Sequence, residues 1–125
     1  MGPRGAKYLR ISNPVRHSVL GHRVGLADTS LTRFMGLMGR SSLAAGHGLL
    51  IRPSNGVHTF WMRFNIDVLF LDREHRVLAA YGNLRPFRMT SINWKASSVL
   101  ELPPGTIAAS NTRLGDVLHV EPVTS

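Results

Sequence analysis

The sequence predicts a mainly β fold, a small β-barrel or half-barrel carrying one or two short helices. Three observations lead there. Short apolar or alternating runs recur along the chain, divided by turns rich in Gly, Pro and Asn. One segment places apolar residues at helical spacing, Leu31, Phe34, Met35 and Met38. The chain has 125 residues, 43% of them hydrophobic, which suffices for one core without metals or cross-links.

The elements follow in order. Residues 1–13 are rich in Gly and basic side chains and read as a flexible basic arm, though Tyr8, Leu9 and Ile11 could add an edge strand. Residues 14–125 then form a single domain. Val15 to Leu20 and His22 to Ala27 read as a hairpin around Gly21. Asp28, Thr29 and Ser30 offer caps for a helix over 29–40, which Gly36 and Gly39 weaken and end near Arg40. Gly48 to Arg52 is a short apolar run, and Pro53-Ser54-Asn55-Gly56 a turn. Val57 to Met62 alternates as a strand, with His58 and Trp61 on opposite faces. Ile66 to Leu71 is a buried-type strand, Asp72 to His75 a hairpin loop and Arg76 to Tyr81 the returning strand. An irregular loop over 82–95 leads to a strand at Ser98 to Leu102, a helical turn near 105–112 and a last strand at Val117 to Glu121. The order strand, short helix, strand occurs at 22–51 and again at 98–121, a faint internal echo.

Composition excludes several classes of function. No apolar run approaches the roughly 18 residues of a membrane helix. The first residues lack the apolar region of a secretory signal, so a cytoplasmic location is expected. Without cysteine there are no disulfides, thiolate metal sites or thiol nucleophiles. The six histidines show neither HxH nor HExxH spacing, and no metal or cofactor is expected. Neither a nucleophile elbow nor a phosphate loop is present. The net charge of +8 is concentrated at the start, where Arg4, Lys7, Arg10, Arg16 and Arg23 meet no acid. Such a stretch is either a solvated tail or a site for an anionic partner such as nucleic acid, phosphate or an acidic membrane surface, with a weak nucleic-acid contact through Arg4, Lys7, Arg10 and Arg16.

Four landmarks carry a resemblance. They are Arg33-Phe34-Met35-Gly36-Leu37-Met38-Gly39-Arg40, then Gly48-Leu49-Leu50-Ile51, then His58 to Leu71, and Val99-Leu100-Glu101-Leu102-Pro103-Pro104-Gly105 closing on Gly115-Asp116. On these residues the chain resembles the family called domain of unknown function 192 over residues 22–121. It departs from the family's Asn-Thr after Trp-Met, reading Arg63-Phe64-Asn65-Ile66-Asp67. The resemblance implies a β-rich fold with short helices and assigns no reaction. A bacterial source is the expectation that goes with it.

Five residues are the candidates for a ligand site: Arg33, Arg40, His58, Trp61 and Asp67. Asp67 stands inside an apolar strand, where an unpaired carboxylate is costly. It either accepts hydrogen bonds from loop amides or an arginine, or serves as a base in a cleft. Arg33 and Arg40, two helical turns apart, could clamp a carboxylate or phosphate, or one could pair with an acid while the other is solvated. Trp61 is either core or a stacking platform. His58 is either a surface residue or, with Asp67, a catalytic acid–base candidate. Glu101 before Leu-Pro-Pro-Gly, and Asp116 after Gly115, read as turn chemistry. The first functional expectation is a binding module for a small polar or anionic ligand. Alternatives are a hydrolase or lyase using Asp67 with His58 or Arg33, and a nucleic-acid accessory protein.

Overall fold

The computed structural model describes residues 8–37, 40–60 and 62–123, with only the backbone of Leu31, Phe34 and Met35. The predicted helical stripe of Leu31, Phe34, Met35 and Met38 therefore lies outside the described side chains, as does Trp61. Seven strands are present: β1 (Tyr8–Asn13), β2 (Ser18–Ala27), β3 (His47–Ile51), β4 (Ile66–Leu71), β5 (Val77–Leu84), β6 (Ser98–Leu102) and β7 (His119–Val123). Two short helices, α1 (Ser30–Met35) and α2 (Thr106–Ser110), complete the described elements. The strands form one sheet in the order β5-β4-β6-β3-β2-β1-β7. Neighbours are antiparallel except β2 and β3, which run parallel and are joined through α1.

The sheet curls without closing along its length. Its two edges meet at one place: Gly115 N donates to Val77 O, Val77 N to Asp116 O, and Leu118 N to His75 O, at 2.8, 2.8 and 2.9 Å. The result is a half-barrel, in agreement with the predicted mainly β class.

The central strands β3, β4 and β6 are buried on both faces, which explains their nearly continuous apolar sequences. The two faces build separate cores. Ile11, Val24, Leu50, Leu69, Leu71 and Leu100 pack inside the curl, with Ile107 of α2 against them. Leu49, Ile51, Val68, Phe70 and Val99 face the other way and are covered by Leu37, Met62 and the flanking loops. Because side chains alternate along a strand, the register decides which core each residue joins.

Several elements differ from their predicted form. Residues 8–13 are strand β1, paired on both sides, so the basic arm is not 13 residues long. The hairpin turns at Pro14–His17, and β2 continues past Gly21, with the β1–β2 register shifting on both sides of it. Gly21 serves close approach instead: a Cβ there would stand 3.1 Å from Gly46 O and 2.8 Å from Val24 Cγ2. Gly46 O accepts from both His22 N and Arg23 N at this crossing. α1 stops at Met35, because Gly36 takes φ +49°, a conformation open to glycine. β5 extends to Leu84, into the region read as loop.

Of the predicted strand at 57–62, the described residues 57–60 and 62 form a loop with one isolated bridge, His58 to Met89. Side chains add to the few backbone bonds between 57–59 and 87–90. Thr59 Oγ1 donates to Arg85 O at 2.7 Å and accepts from Arg88 N at 2.8 Å, while Val57 N donates to Thr90 Oγ1 at 3.0 Å. The 22–51 echo is seen in β2-α1-β3, but its counterparts β6 and β7 are not neighbours in the sheet.

Candidate functional site

Glu101 is a buried carboxyl on the wall of a small cavity. It sits in β6, flanked by β3 and β4, where it pairs with Leu49 and Val68. That register turns its side chain toward the core of Leu49, Val68 and Phe70. It is 2% exposed, and its Oε1 has no hydrogen-bond partner among the described residues. Burial pushes the carboxyl up to about 8, so the protonated form dominates at neutral pH.

A cavity of about 120 Å³ lies over Glu101, bounded by Arg33, Gly36, Ser54, His58 and Met62. Arg33 reaches it from α1. Thr29 starts that helix with a capping box, accepting from Thr32 N at 3.1 Å while its own N donates to Thr32 Oγ1 at 3.0 Å. Gly36 also lines the cavity, and a Cβ there would lie 4.0 Å from Oε1. His58 enters from the loop after the Pro53–Gly56 turn, its ring stacked on Phe60 at 5.3 Å between centroids. Its Nδ1 is buried and has no hydrogen-bond partner among the described residues. The cavity is thus lined by an arginine, a glutamic acid whose carboxyl keeps its proton at neutral pH, and a histidine. Its volume suits a ligand of a few non-hydrogen atoms, below the roughly 300 Å³ of drug-sized pockets.

The structure brings together only part of the predicted set. Arg33 and His58 share the cavity. Arg40 does not: it lies beyond the end of α1, exposed, so the two arginines do not share a helix face. Asp67 does not either. It pairs with Leu102 in β6, one position along from the pair of Val68 with Glu101, and so faces the opposite core. It is 1% exposed, and both its oxygens are occupied. Oδ1 accepts from Asn83 N and Oδ2 from Ile107 N, each at 2.8 Å. Asp67 therefore ties the end of β5 to the first turn of α2. Asp67 does accept from backbone amides, but they belong to strand β5 and helix α2 and not to a loop, and it is not among the residues lining the cavity of Arg33 and His58. Trp61 lies outside the described residues.

Glu101 lies outside the five candidates that the sequence offers, since the Pro-Pro-Gly after it reads as a turn, whereas the structure places it inside strand β6. The signal was a carboxylate within Ser98-Val-Leu-Glu-Leu102, all five positions buried.

The basic residues at the start of the chain are engaged within the fold where described. Arg16 forks onto Asp116, Nε to Oδ2 at 2.9 Å and a terminal NH2 to Oδ1 at 3.1 Å. Asn13 Nδ2 and Arg113 N also donate to Asp116 Oδ2, each at 3.0 Å. The Arg16 bond first, with Asn13 and the Arg113 amide, holds that carboxyl down at about 2 against the opposing effect of burial. Asp116 thus closes the turn at Gly115, as predicted, and also anchors the β1–β2 hairpin. Arg10 pairs with Glu121 at 3.3 Å, and Arg23 stacks over Tyr8 at 4.3 Å. Arg4 and Lys7 lie outside the described residues. No helix among the described residues is long and apolar enough to cross a membrane.

Residues 12–120 match the family model of domain of unknown function 192, described as an uncharacterised ACR. A UPF0127 protein of Thermococcus sibiricus is 31% identical over 113 residues, 87% of this chain and 73% of the relative. A UPF0127 protein of Pyrococcus furiosus is 35% identical over 99 residues, 77% and 84% of the two chains. These relatives are archaeal, which removes the ground for expecting a bacterial source. Among solved structures, a protein of unknown function from Novosphingobium aromaticivorans superposes with a TM-score of 0.76 at 22% identity, covering 89% of this chain and 82% of that one. A proposed transcription regulator from Sinorhizobium meliloti gives 0.74 at 24% identity, covering 90% and 91%. At such identities these two likenesses speak to the fold.

Proposed function

The chain belongs to the domain of unknown function 192 family, and on that premise we propose that it is a binding module whose ligand is a small oxyanion such as a carboxylate. The observation that carries this reading is Glu101 Oε1, a buried carboxyl oxygen that lies on the wall of a cavity and has no hydrogen-bond partner among the described residues. An unpaired buried polar atom is expensive, and a ligand that accepts its proton would repay that cost. Arg33 supplies the positive charge for an anion, and neutral Glu101 supplies a second donor. His58 can donate or accept at Nδ1, according to its tautomer. The small volume and the few convergent polar groups on an apolar wall favour recognition of a compact headgroup.

The test is a nuclear magnetic resonance titration with sodium acetate and with inorganic phosphate, on the parent and on Arg33→Gln. Binding by the parent should move amide resonances at Gly36, Leu37, Val57, His58 and Glu101, and Arg33→Gln should weaken it at least tenfold. Unmoved resonances, or equal affinity in Arg33→Gln, would sink the reading.

A second reading rests on the same carboxyl. A protonated Glu beside a histidine in a cavity is suited to general-acid work. Glu101 with His58 would then replace the Asp67 pair that the sequence suggested. It predicts turnover of a small bound ligand that Glu101→Gln abolishes while binding persists.

A further inference from the structure

A second feature is independent of the cavity. Between β5 and β6, residues 85–95 display Met89, Ile92 and Trp94 at 69%, 55% and 82% exposure. Single exposed apolar side chains are ordinary; three within six residues form a patch. The loop is held in place while it exposes them. Phe87 N donates to Thr59 O, Thr59 N to Arg88 O, Thr90 N to Val57 O and Asn93 N to Asn55 O, between 2.8 and 3.0 Å. Thr90 and Asn93 face inward in this arrangement, which leaves Met89, Ile92 and Trp94 outward. Phe87, at φ +61°, leans on Phe60 with centroids 6.4 Å apart.

Charge accompanies the patch. Arg85, Arg88 and Lys95 are exposed in the same loop, and no acid occurs between Glu74 and Glu101. Among the described residues no carboxylate pairs with these three cations. The whole chain carries +8. A partner must therefore combine negative charge with an apolar layer.

We propose that the 85–95 loop is a docking surface for an anionic lipid membrane. Trp94, Met89 and Ile92 enter the boundary between headgroups and acyl chains, and Arg85, Arg88 and Lys95 meet the lipid phosphates and carboxylates. Nucleic acid answers the charge and could stack on Trp94, yet it offers nothing to the aliphatic Met89 and Ile92. A lipid interface accepts all three. The positive net charge draws the protein toward such a surface, and the backbone anchors to 55–59 reduce the ordering cost of contact.

The test is co-sedimentation of the full chain with vesicles, either phosphatidylcholine alone or one part phosphatidylserine to two parts phosphatidylcholine. The parent should partition onto the mixed vesicles at least tenfold better than onto phosphatidylcholine, with loss at high salt. Met89→Ser/Trp94→Ser should lose at least tenfold at an unchanged melting temperature, and so should Arg85→Gln/Arg88→Gln/Lys95→Gln. Equal partitioning of parent and variants, or no partitioning of the parent, would overturn the proposal. Tighter binding to a single-stranded oligonucleotide than to mixed vesicles, abolished by the same variants, would overturn it in favour of a nucleic-acid surface.

Discussion

Replacing Glu101 by Gln keeps the shape of the side chain and removes its titration. The folded carboxyl holds its proton up to about 8, whereas the unfolded one releases it near 4.5. Folding therefore favours the protonated form. The stability it contributes is fully present below 4.5 and is lost as pH rises toward 8. At about 1.4 kcal/mol per pH unit, the parent falls behind Glu101→Gln by under about 1 kcal/mol at pH 5 and by about 4 kcal/mol at pH 8. Those are upper figures, because side chains around the cavity can relax toward an ionised carboxylate. Urea unfolding of both proteins at several pH values gives the difference directly. The diagnostic is its slope: any fixed effect of the amide cancels, and so does His75, whose imidazole is held down chiefly by burial in both proteins. A parent–variant difference that stays flat from pH 5 to 8 would refute the reasoning.

Two other carboxylates should behave differently. Asp67→Asn removes the charge that accepts two backbone bonds and turns an NH2 toward one of the two amides, so it should cost about 2–4 kcal/mol at pH 7. A loss below about 1 kcal/mol in urea unfolding would show that the amides do not depend on the carboxylate. Asp116, held down at about 2 from an ordinary 3.8, contributes stability above pH 4 that is lost as pH falls through 2. The parent should therefore lose stability across that range while Asp116→Asn, already weaker at pH 7, shows a flatter acid limb in circular dichroism. Parallel acid limbs would contradict this account of the Arg16 pair.

Much of the fold was legible in the residues. Ile66 to Leu71 and Ser98 to Leu102 are buried on both faces, and a strand buried on both faces spells itself as an apolar run. The 52–65 region was not legible, because Val57, Thr59 and Trp61 alternate as a strand would. The partner of 57–59 there is the 87–90 segment, which meets it in only one bridge, and the Thr59 and Thr90 hydroxyls bond backbone groups beside it. Asp67 and Glu101 show where pattern runs out for the site. Each is a carboxylate in an apolar strand, and the sequence gives both the same anomaly. Only the β4–β6 register separates them, sending Asp67 toward the amides of Asn83 and Ile107 and Glu101 toward a cavity. Which amides wait above a strand is a long-range fact. Likewise Arg33 can be nominated from its type, but that it lines one cavity with Glu101 of β6 is a long-range fact.

The most direct measurement of the site is the carbon-13 titration of the Glu101 side-chain carboxyl, with and without acetate. The reading predicts a midpoint near 8 in the free protein. It also predicts a higher midpoint with acetate bound, because an anion beside the carboxyl favours its protonated, donating form. A midpoint in the ordinary carboxylate range, or one that acetate leaves unmoved, would contradict Glu101 as the donor on the wall of a ligand site.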